Sequence, residues 1–486
     1  MHRKKLPNPT DYSSDVTCRN AFAYFCDDFW QPATVSIIPS MLDLTPAREL
    51  QFARMREVAR EIFTTALKNA SIENAFARDI HCERRVLRIG DDLHDLDSYN
   101  RIFVVSIGKA AHTMAAALEA QVGSSLEGIV ASPVEPTNQV RGFRYFRGGH
   151  PTPTAESIQA ASAILNSLRS LNSASLVIFM ISGGGSSIVE KPVVSLKDDE
   201  ISLPDLAATY RALVHSGAPI ADINAIRKHL SAVKGGRLAQ AAYPAQQVSI
   251  LVSDVPDDTP DALASGPTMP DRTSVHDCER IAAKYNLVEQ FPDSVADLFR
   301  QHALDETPKS DDPAFVRARW WTVLSNKVAI DEAVAAATRA GFAVEVDNSC
   351  DDQPYDQAAA YLLNRLRELR NKVSRVCLIS GGEVTVTVRN GGIGGRNQQF
   401  ALACAEAIAG ENITVLSAGT DGIDGNSLAA GAVVDGSTLN RAEGAEPVRH
   451  ALSTFNAYPF FDGLGDALIT GPTGNNLRDL RILLAY

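Results

Sequence analysis

The stretch SLVIFMISGGGSS, residues 175–187, carries an apolar segment straight into three glycines and two serines. A short apolar run bounded by glycines is typical of a buried strand followed by a loop. Two known phosphate-binding patterns do not fit this loop. It lacks the Gly-Lys-Ser/Thr ending of the P-loop, and Ile188 stands where the dinucleotide fingerprint needs its third glycine. The stretch therefore predicts a buried strand whose loop brings a ligand close to the backbone.

Strand-like and helix-like segments alternate on both sides of this stretch. RIFVVSIG (101–108) and QVSILVSDVPDD (247–258) are predicted strands, and KAAHTMAAALEAQ (109–121) is a predicted helix. Such alternation predicts a mostly parallel sheet that is covered by helices. The polar stretch 305–313 has the composition of a linker, and after it the pattern restarts with the strand WTVLS (321–325).

The predicted organisation is therefore α/β, with two domains built on mostly parallel sheets. An N-terminal extension covers residues 1–44, a first α/β domain covers residues 45–305, and a second α/β domain covers residues 314–486. In open sheets of this kind, ligands bind at the carboxyl ends of the strands. Four predicted strands run into polar loops, and these loops carry the candidate site residues.

Composition and charge exclude several classes of partner. The 486 residues carry a net charge of -12, which argues against non-specific binding to nucleic acid and against anionic membrane surfaces. Seven scattered cysteines without a C-x-x-C pair predict free thiols in a reducing compartment, and hence a cytoplasmic protein. The sequence contains no run of about 18 apolar residues, so it predicts no membrane span. The expected partners are small molecules, and the sequence leaves open whether the chain forms a homo-oligomer.

Gly183, Gly184, Gly185, Ser186 and Ser187 are candidate phosphate-binding residues. Backbone N–H groups and hydroxyls in such a loop can form a nest around an anion. The alternative is a tight turn that needs positive φ. Because a turn alone rarely needs three glycines in succession, binding is the preferred interpretation.

Basic residues accompany two further loops. Lys109 follows a glycine at a strand-to-helix turn, where its ammonium could join the helix N-terminal N–H groups around an anion. A solvated lysine is the alternative there. Lys234, Gly235 and Gly236 lie in RKHLSAVKGGRLA (227–239), where basic residues surround a helix that two glycines break. An anion site and a solvated basic face explain this second cluster equally well.

Acidic loops follow two of the predicted strands. Asp254 and Asp421 are the first carboxylates after their strands, in LVSDVPDD (251–258) and SAGTDGIDG (417–425). Carboxylates on such loops suit Mg²⁺, which prefers oxygen ligands and keeps water for substrate phosphates. The alternative is that Asp and Gly simply form turns. Asp254 and Asp421 are therefore predicted as metal ligands or as catalytic carboxylates, without a choice between the two roles.

Arg396 follows a glycine-rich segment, NGGIGG (390–395), that leads into a predicted helix. Without large side chains beside it, its guanidinium could swing onto a phosphoryl group and bind it bidentately. A mobile surface arginine is the alternative. Phosphate loops, acidic loops, one lysine and one arginine together suit phosphoryl transfer, which depends mainly on positioning and charge neutralisation.

Taken together, these motifs resemble one family closely: the glycerate 2-kinases with an N-terminal glycerate-kinase domain and a C-terminal MOFRL domain. The resemblance extends in order over about residues 45 to 480. It is carried by SIGKAA (106–111), GGHPTPT (148–154), ISGGGSS (181–187), INAIRKHLSAVKGGRLA (223–239), LVSDVPDD (251–258), LASGPT (263–268), ISGGEVTVTV (379–388), SAGTDGIDG (417–425) and TGPTGNN (470–476).

The resemblance implies an ATP- and Mg²⁺-dependent phosphorylation of D-glycerate to 2-phosphoglycerate, in a cleft between two α/β domains. Lys109 and Arg396 match the family's basic residues at the transferred phosphate. Asp254 and Asp421 match its acidic motif positions. One departure is Asp257, which stands where the family often has a glycine.

Two other functions stay open on the sequence alone. Some members of the family carry the name hydroxypyruvate reductase, although the absent dinucleotide fingerprint argues against an NAD(P)-dependent enzyme. A regulator that binds a nucleotide or an organic acid without turnover is the non-enzymatic alternative.

Overall fold

The fold is described from a computed structural model of the chain. The structure describes residues 45–124, 126–196, 201–388 and 391–486, so the predicted extension 1–44 lies outside the described residues. The described residues belong to one compact unit, Leu44–Tyr486. Within the described ranges, no helix is both long and apolar enough to cross a membrane.

The α/β prediction is confirmed, because strands and helices alternate along the described chain. The strands are β1 Ile80–Glu83, β2 Val86–Ile89, β3 Asp92–Asp95, β4 Arg101–Ile107, β5 Glu127–Ser132, β6 Phe143–Arg147, β7 Ser175–Ser182, β8 Gln246–Val252, β9 Ala318–Leu324, β10 Ala343–Val346, β11 Val376–Gly382, β12 Ile413–Gly419, β13 Gly431–Asp435, β14 Ala467–Leu468 and β15 Asp479–Ala485. The helices are α1 Pro46–Asn69, α2 Ile72–Asp79, α3 Ala111–Val122, α4 Ala155–Leu168, α5 Gly185–Ile188, α6 Leu203–His215, α7 Ile220–His229, α8 Arg237–Ala242, α9 Val275–Lys284, α10 Asp293–Arg300, α11 Asn326–Arg339, α12 Tyr355–Arg370, α13 Arg396–Ala407, α14 Thr438–Arg441, α15 Glu446–Ser453 and α16 Ala457–Leu464.

The first large sheet has the order β6-β5-β4-β7-β8-β9, and all of its neighbouring strands are parallel. Every residue of β7 is buried, as expected for a strand that helices cover on both faces. The strand order reverses between β4 and β7, which is the position where open parallel sheets bind ligands. Lys109 follows β4 and Gly183 follows β7, so both lie at this switch point.

The second large sheet has the order β10-β11-β15-β12-β13-β14 and is mixed rather than mostly parallel. Among the described strands of this sheet, β10 and β11 form the parallel pair, and the last strand, β15, inserts antiparallel between β11 and β12. The reversed direction of β15 matters for the site. Its first residue, Asp479, pairs with Gly382 and with Gly419, the last residues of its two neighbours.

The chain crosses between the two sheets more than once. Strand β9 lies beyond the predicted linker, yet it pairs with β8 in the first sheet rather than with the second sheet. Helix α1 begins at Pro46 and packs against α11, β12 and β15 of the second half. One buried core includes Ile178 of the first sheet, Phe63 of α1 and Ile482 of the second sheet. The domain boundaries at 305 and 314 therefore stay a prediction.

Candidate active site

Two of the three consecutive glycines, Gly183 and Gly184, allow three side chains to pack closely at the switch point. A methyl group added at Gly183 would lie 1.9 Å from Oδ2 of Asp254, which leaves no space for one. Gly184 has φ +79°, and a methyl group there would lie 3.2 Å from Cγ of Lys109 and 3.4 Å from Cδ2 of His150. The backbone N–H of Lys109 also donates to the carbonyl of Gly183 at 2.9 Å. The loop therefore brings Lys109, His150 and Asp254 together.

Substitution of Gly183 tests this packing. We expect Gly183→Ala to displace the Asp254 carboxylate and to lower kcat by roughly 10² or more, because misplacement by about 1 Å can have that effect. Gly463→Ala is the matched control, since nothing lies within 4 Å of a methyl group there. Steady-state kinetics on both variants, with circular dichroism for folding, checks the expectation. A Gly183→Ala enzyme with normal kcat would contradict the packing.

Asp254 is partly buried, and the pKa of its carboxyl is raised. Burial raises the pKa of its carboxyl, while the charges of Lys109 and Arg478 act in the opposite direction. His150 follows β6 and lies beside Gly184, and burial together with the charge of Lys109 lowers the pKa of its imidazole. Lys109 itself is exposed and forms no ion pair within the described part of the chain. Its ammonium is therefore available to a ligand.

The second half contributes an arginine that two carboxylates hold in place. Arg396 is the first residue of α13 and donates from Nε to Asp479 Oδ2 at 2.7 Å and from Nη2 to Asp479 Oδ1 at 3.0 Å. Glu383 Oε1 lies 2.8 Å from Nη2 of Arg396. Burial alone would lower the pKa of Arg396, but these two carboxylates raise it above its usual value. The guanidinium is thus fixed in direction, instead of swinging on a loose loop.

A further clamp supports the glycines at the end of β11. Arg478 makes a bidentate pair with Asp351, with both N–O distances 2.7 Å. Oδ1 of Asp351 also accepts from the backbone N–H of Glu383 at 2.9 Å. A methyl group at Gly382 would lie 2.7 Å from that same oxygen. The clamp therefore fixes the position of Glu383 beside Arg396.

Asp421 completes the group of acidic residues. A methyl group at Gly419 would lie 3.0 Å from Oδ1 of Asp421 and 3.4 Å from Oδ1 of Asp479, so both carboxylates face the same space. Burial raises the pKa of Asp421, and Asp479 adds to the increase, while Arg396 and Lys109 oppose it. Because Lys109 belongs to the first half, this coupling places residues of both sheets around one space.

The four predicted catalytic residues are therefore brought together. Lys109 and Asp254 come from the first sheet, and Arg396 and Asp421 come from the second. The charge of Lys109 acts on both aspartates, and the charge of Arg396 acts on Asp421. The roles of these residues in chemistry remain predictions, and so does phosphate binding by the loop from Gly183 to Ser187.

Lys234, Gly235 and Gly236 have other partners in the structure. Lys234 is 1% exposed and pairs with the fully buried Glu190, which also accepts from Ser231 and Tyr210. The N–H groups of Gly235 and Gly236 donate to the carbonyls of residues 265 and 266, at 3.0 Å and 2.8 Å. The basic cluster is therefore partly internal rather than a solvated face, and its role in phosphate binding stays a prediction.

The Lys234–Glu190 pair makes a stability prediction. We expect Lys234→Met to lower the free energy of unfolding by about 3–5 kcal/mol, because it leaves a buried carboxylate without its counter-ion. The double variant Lys234→Met/Glu190→Gln should recover most of that loss. Urea unfolding of the two proteins checks both values, and a loss below about 1 kcal/mol in the single variant would contradict the pairing. Kinetics of the double variant then tests phosphate binding by Lys234 separately from folding.

The acidic group fits a divalent cation in charge and in donor type. Asp254, Glu383, Asp421 and Asp479 supply carboxylate oxygens near Lys109 and Arg396. Among the described residues, no three His, Cys, Asp or Glu side chains are arranged to hold a metal. In kinase-type Mg²⁺ sites one or two carboxylates bind the ion, and phosphates and water supply the other ligands. Asp254 and Asp421 stay predicted as metal ligands or as catalytic carboxylates.

Sequence patterns missed four residues of this site: Asp351, Glu383, Arg478 and Asp479. Glu383 directly follows the Ser-Gly-Gly end of β11, and that position was an available signal. Asp479 lies at the start of a strand, and only the antiparallel direction of β15 brings it to the same edge. Asp351 and Arg478 are 127 residues apart, so the sequence offers no local sign of their contact.

Comparison with known proteins identifies the family. The family described as "Domain of unknown function (DUF4147)" matches residues 58–300, and the MOFRL family matches residues 376–479. The chain is 35% identical to the D-glycerate 2-kinase of Thermotoga maritima, over 79% of this chain and 90% of that protein. It is 34% identical to an Agrobacterium vitis protein that is provisionally named hydroxypyruvate reductase, over 88% of this chain and 94% of that protein.

A solved structure agrees with these relatives in fold. The crystal structure of a glycerate kinase from Thermotoga maritima superposes with a TM-score of 0.77 at 32% sequence identity. The match covers 89% of this chain and all of that one. The domain pair, the relatives and the shared fold together place the chain in the glycerate 2-kinase family.

Proposed function

We propose that this protein is an ATP-dependent glycerate 2-kinase that phosphorylates D-glycerate to 2-phospho-D-glycerate. The observation that supports this function best is the joint site of the two sheets. A lysine from the first sheet and an arginine from the second border one group of carboxylates, which suits transfer of a phosphoryl group between two bound substrates. The family relatives favour the same reaction and thereby ATP as the co-substrate.

Lys109 and Arg396 neutralise the phosphoryl group in this proposal. Negative charge spreads over the phosphoryl oxygens in the transition state and needs fixed positive charge around it. Arg396 is already oriented by Asp479 and Glu383, so little reorganisation is needed at the moment of transfer. Lys109 approaches from the opposite sheet, and its stem lies against the glycine loop.

Asp254 is the proposed base for the hydroxyl of D-glycerate. It lies directly against Gly183, and burial raises the pKa of its carboxyl, which makes it a better proton acceptor than an exposed aspartate. Asp421 is the proposed ligand of Mg²⁺, because it shares its space with Asp479 beside Arg396. When bound, Mg²⁺ would neutralise phosphate charge and orient the donor.

The compartment and the assembly are proposals as well. The described cysteines (Cys82, Cys278, Cys350, Cys377 and Cys404) are free thiols, which favours a reducing compartment such as the cytoplasm. A homo-oligomer remains a prediction.

Two assays distinguish the candidate functions. We expect the purified protein to consume ATP in the presence of Mg²⁺ and D-glycerate, and to leave NADH unchanged with hydroxypyruvate. Oxidation of NADH without consumption of ATP would favour the reductase. Binding of ATP or D-glycerate without turnover would favour the regulator.

A further inference from the structure

A pocket of about 510 Å³ adjoins the active site on the side of the second sheet. Arg396 and Asp421 form part of its wall, which connects the pocket to the proposed site of transfer. Apolar side chains of Val386, Ile423 and Phe455 contribute much of the remaining wall. Pockets for small ligands have volumes of roughly 300–1,000 Å³. The three-carbon acceptor is small for this volume, and its carboxylate and hydroxyls would find no hydrogen-bond partners on an apolar wall.

A buried carboxamide without a hydrogen-bond partner lines the same pocket. Gln399 is 2% exposed, and neither its Nε2 nor its Oε1 has a partner within the described residues. The neighbouring Gln398 is partly paired: its Nε2 donates to Asp424 at 3.0 Å and to Ser427 at 2.8 Å, while its Oε1 has no partner within the described residues. A buried polar group is normally paired, so the free carboxamide indicates a partner supplied by a ligand. A side-by-side donor and acceptor match the hydrogen-bonding edge of adenine.

The glycine-rich wall of the pocket is already built. Asn426 accepts from the N–H of Gly394 at 2.9 Å and donates to the carbonyl of Gly392 at 3.1 Å. Asn456 accepts from the N–H of Ile393 at 3.0 Å. The side chains of Asn426 and Asn456 therefore hold the backbone of residues 392–394 in place, so binding of a ligand needs little further ordering of this wall.

We propose that this pocket holds the adenosine part of ATP, with the phosphates extending past Arg396 and Asp421 towards Lys109. The assignment rests on the proposed kinase function and places the donor nucleoside in the second half of the chain. The loop from Gly183 to Ser187 then serves the acceptor and the transferred phosphoryl group. The carboxamide of Gln399 contacts the base, while the apolar wall covers its faces.

Filling the pocket from its rim is the first test. Ile423 is 46% exposed, so Ile423→Trp should fold normally and occupy part of the pocket. Ile220→Trp, at a 65% exposed isoleucine on α7, is the matched control. Calorimetric titration uses two probes, a non-hydrolysable ATP analogue and inorganic tripolyphosphate. Ile423→Trp should weaken the analogue about tenfold or more, about 1.4 kcal/mol, and leave tripolyphosphate unchanged.

Removal of the carboxamide is the second test. Gln399→Met keeps the side-chain volume and removes a buried polar group, so folding should be preserved while affinity for the analogue falls about tenfold. Unchanged affinity in both variants would overturn the proposal, and so would a rise in KM for D-glycerate alone. If the wild-type protein does not phosphorylate D-glycerate, the kinase function is contradicted. If the two variants still bind the analogue more weakly than the wild type does, the nucleoside site is supported independently of that function.

Discussion

Arg396→Ala should lose about 10³–10⁵ in kcat, the range found for arginines that neutralise phosphoryl charge. At about 1.4 kcal/mol for each tenfold change, this corresponds to roughly 4–7 kcal/mol of transition-state stabilisation. Arg396 is held by two hydrogen bonds to Asp479, which is 0% exposed, and by the ion pair with Glu383. Its guanidinium is therefore oriented before the substrates bind. Steady-state kinetics with saturating ATP and D-glycerate measures the loss.

Two companion variants separate chemistry from folding. Arg396→Lys keeps a cation near Asp479 but cannot form the bidentate contact, so it should stay folded and recover little of the rate. Arg339→Ala, at an exposed arginine at the end of α11, is the control for loss of a surface charge. A loss below about tenfold in Arg396→Ala, in protein that unfolds like the wild type, would place Arg396 outside the chemistry.

Lys109→Met should lower kcat by about 10²–10³, as expected when one preorganised donor to developing charge is removed. The methionine keeps the apolar stem that lies against Gly184 and removes only the ammonium. Lys109 is exposed and has no ion pair among the described residues, so the free energy of unfolding should change little. Lys372→Met, at an exposed lysine beyond α12, is the matched control. Normal kcat in Lys109→Met would exclude a role of this ammonium in transfer.

The first half of the site could be predicted because neighbouring parallel strands all end at the same edge of the sheet. The loops after β4, β7 and β8 meet at one edge, so Lys109, Gly183 and Asp254 were recognisable from the strands that precede them. The close packing of Asp254 against Gly183 could not be predicted, since it depends on atomic distances. It explains why a glycine is needed at a position where φ is not positive.

The other contacts were less predictable because they depend on strand direction and on pairing between residues that are distant in the sequence. Asp479 reaches the site only because β15 runs antiparallel to β11 and β12. In the first half, the burial of Lys234 could not be predicted either, because its partner Glu190 lies 44 residues away in the chain. Strand β9 followed an apparent linker, yet its backbone pairs with β8, and membership of a sheet is a tertiary property.

The position of the new phosphate tests the central claim most directly. The protein is incubated with ATP, Mg²⁺ and D-glycerate, and the product is coupled to enolase, which uses 2-phosphoglycerate and needs a mutase to use the 3-isomer. We predict a signal with enolase alone, unchanged when phosphoglycerate mutase is added. A signal that appears only after the mutase is added would show phosphorylation at the 3-hydroxyl and would contradict the glycerate 2-kinase function.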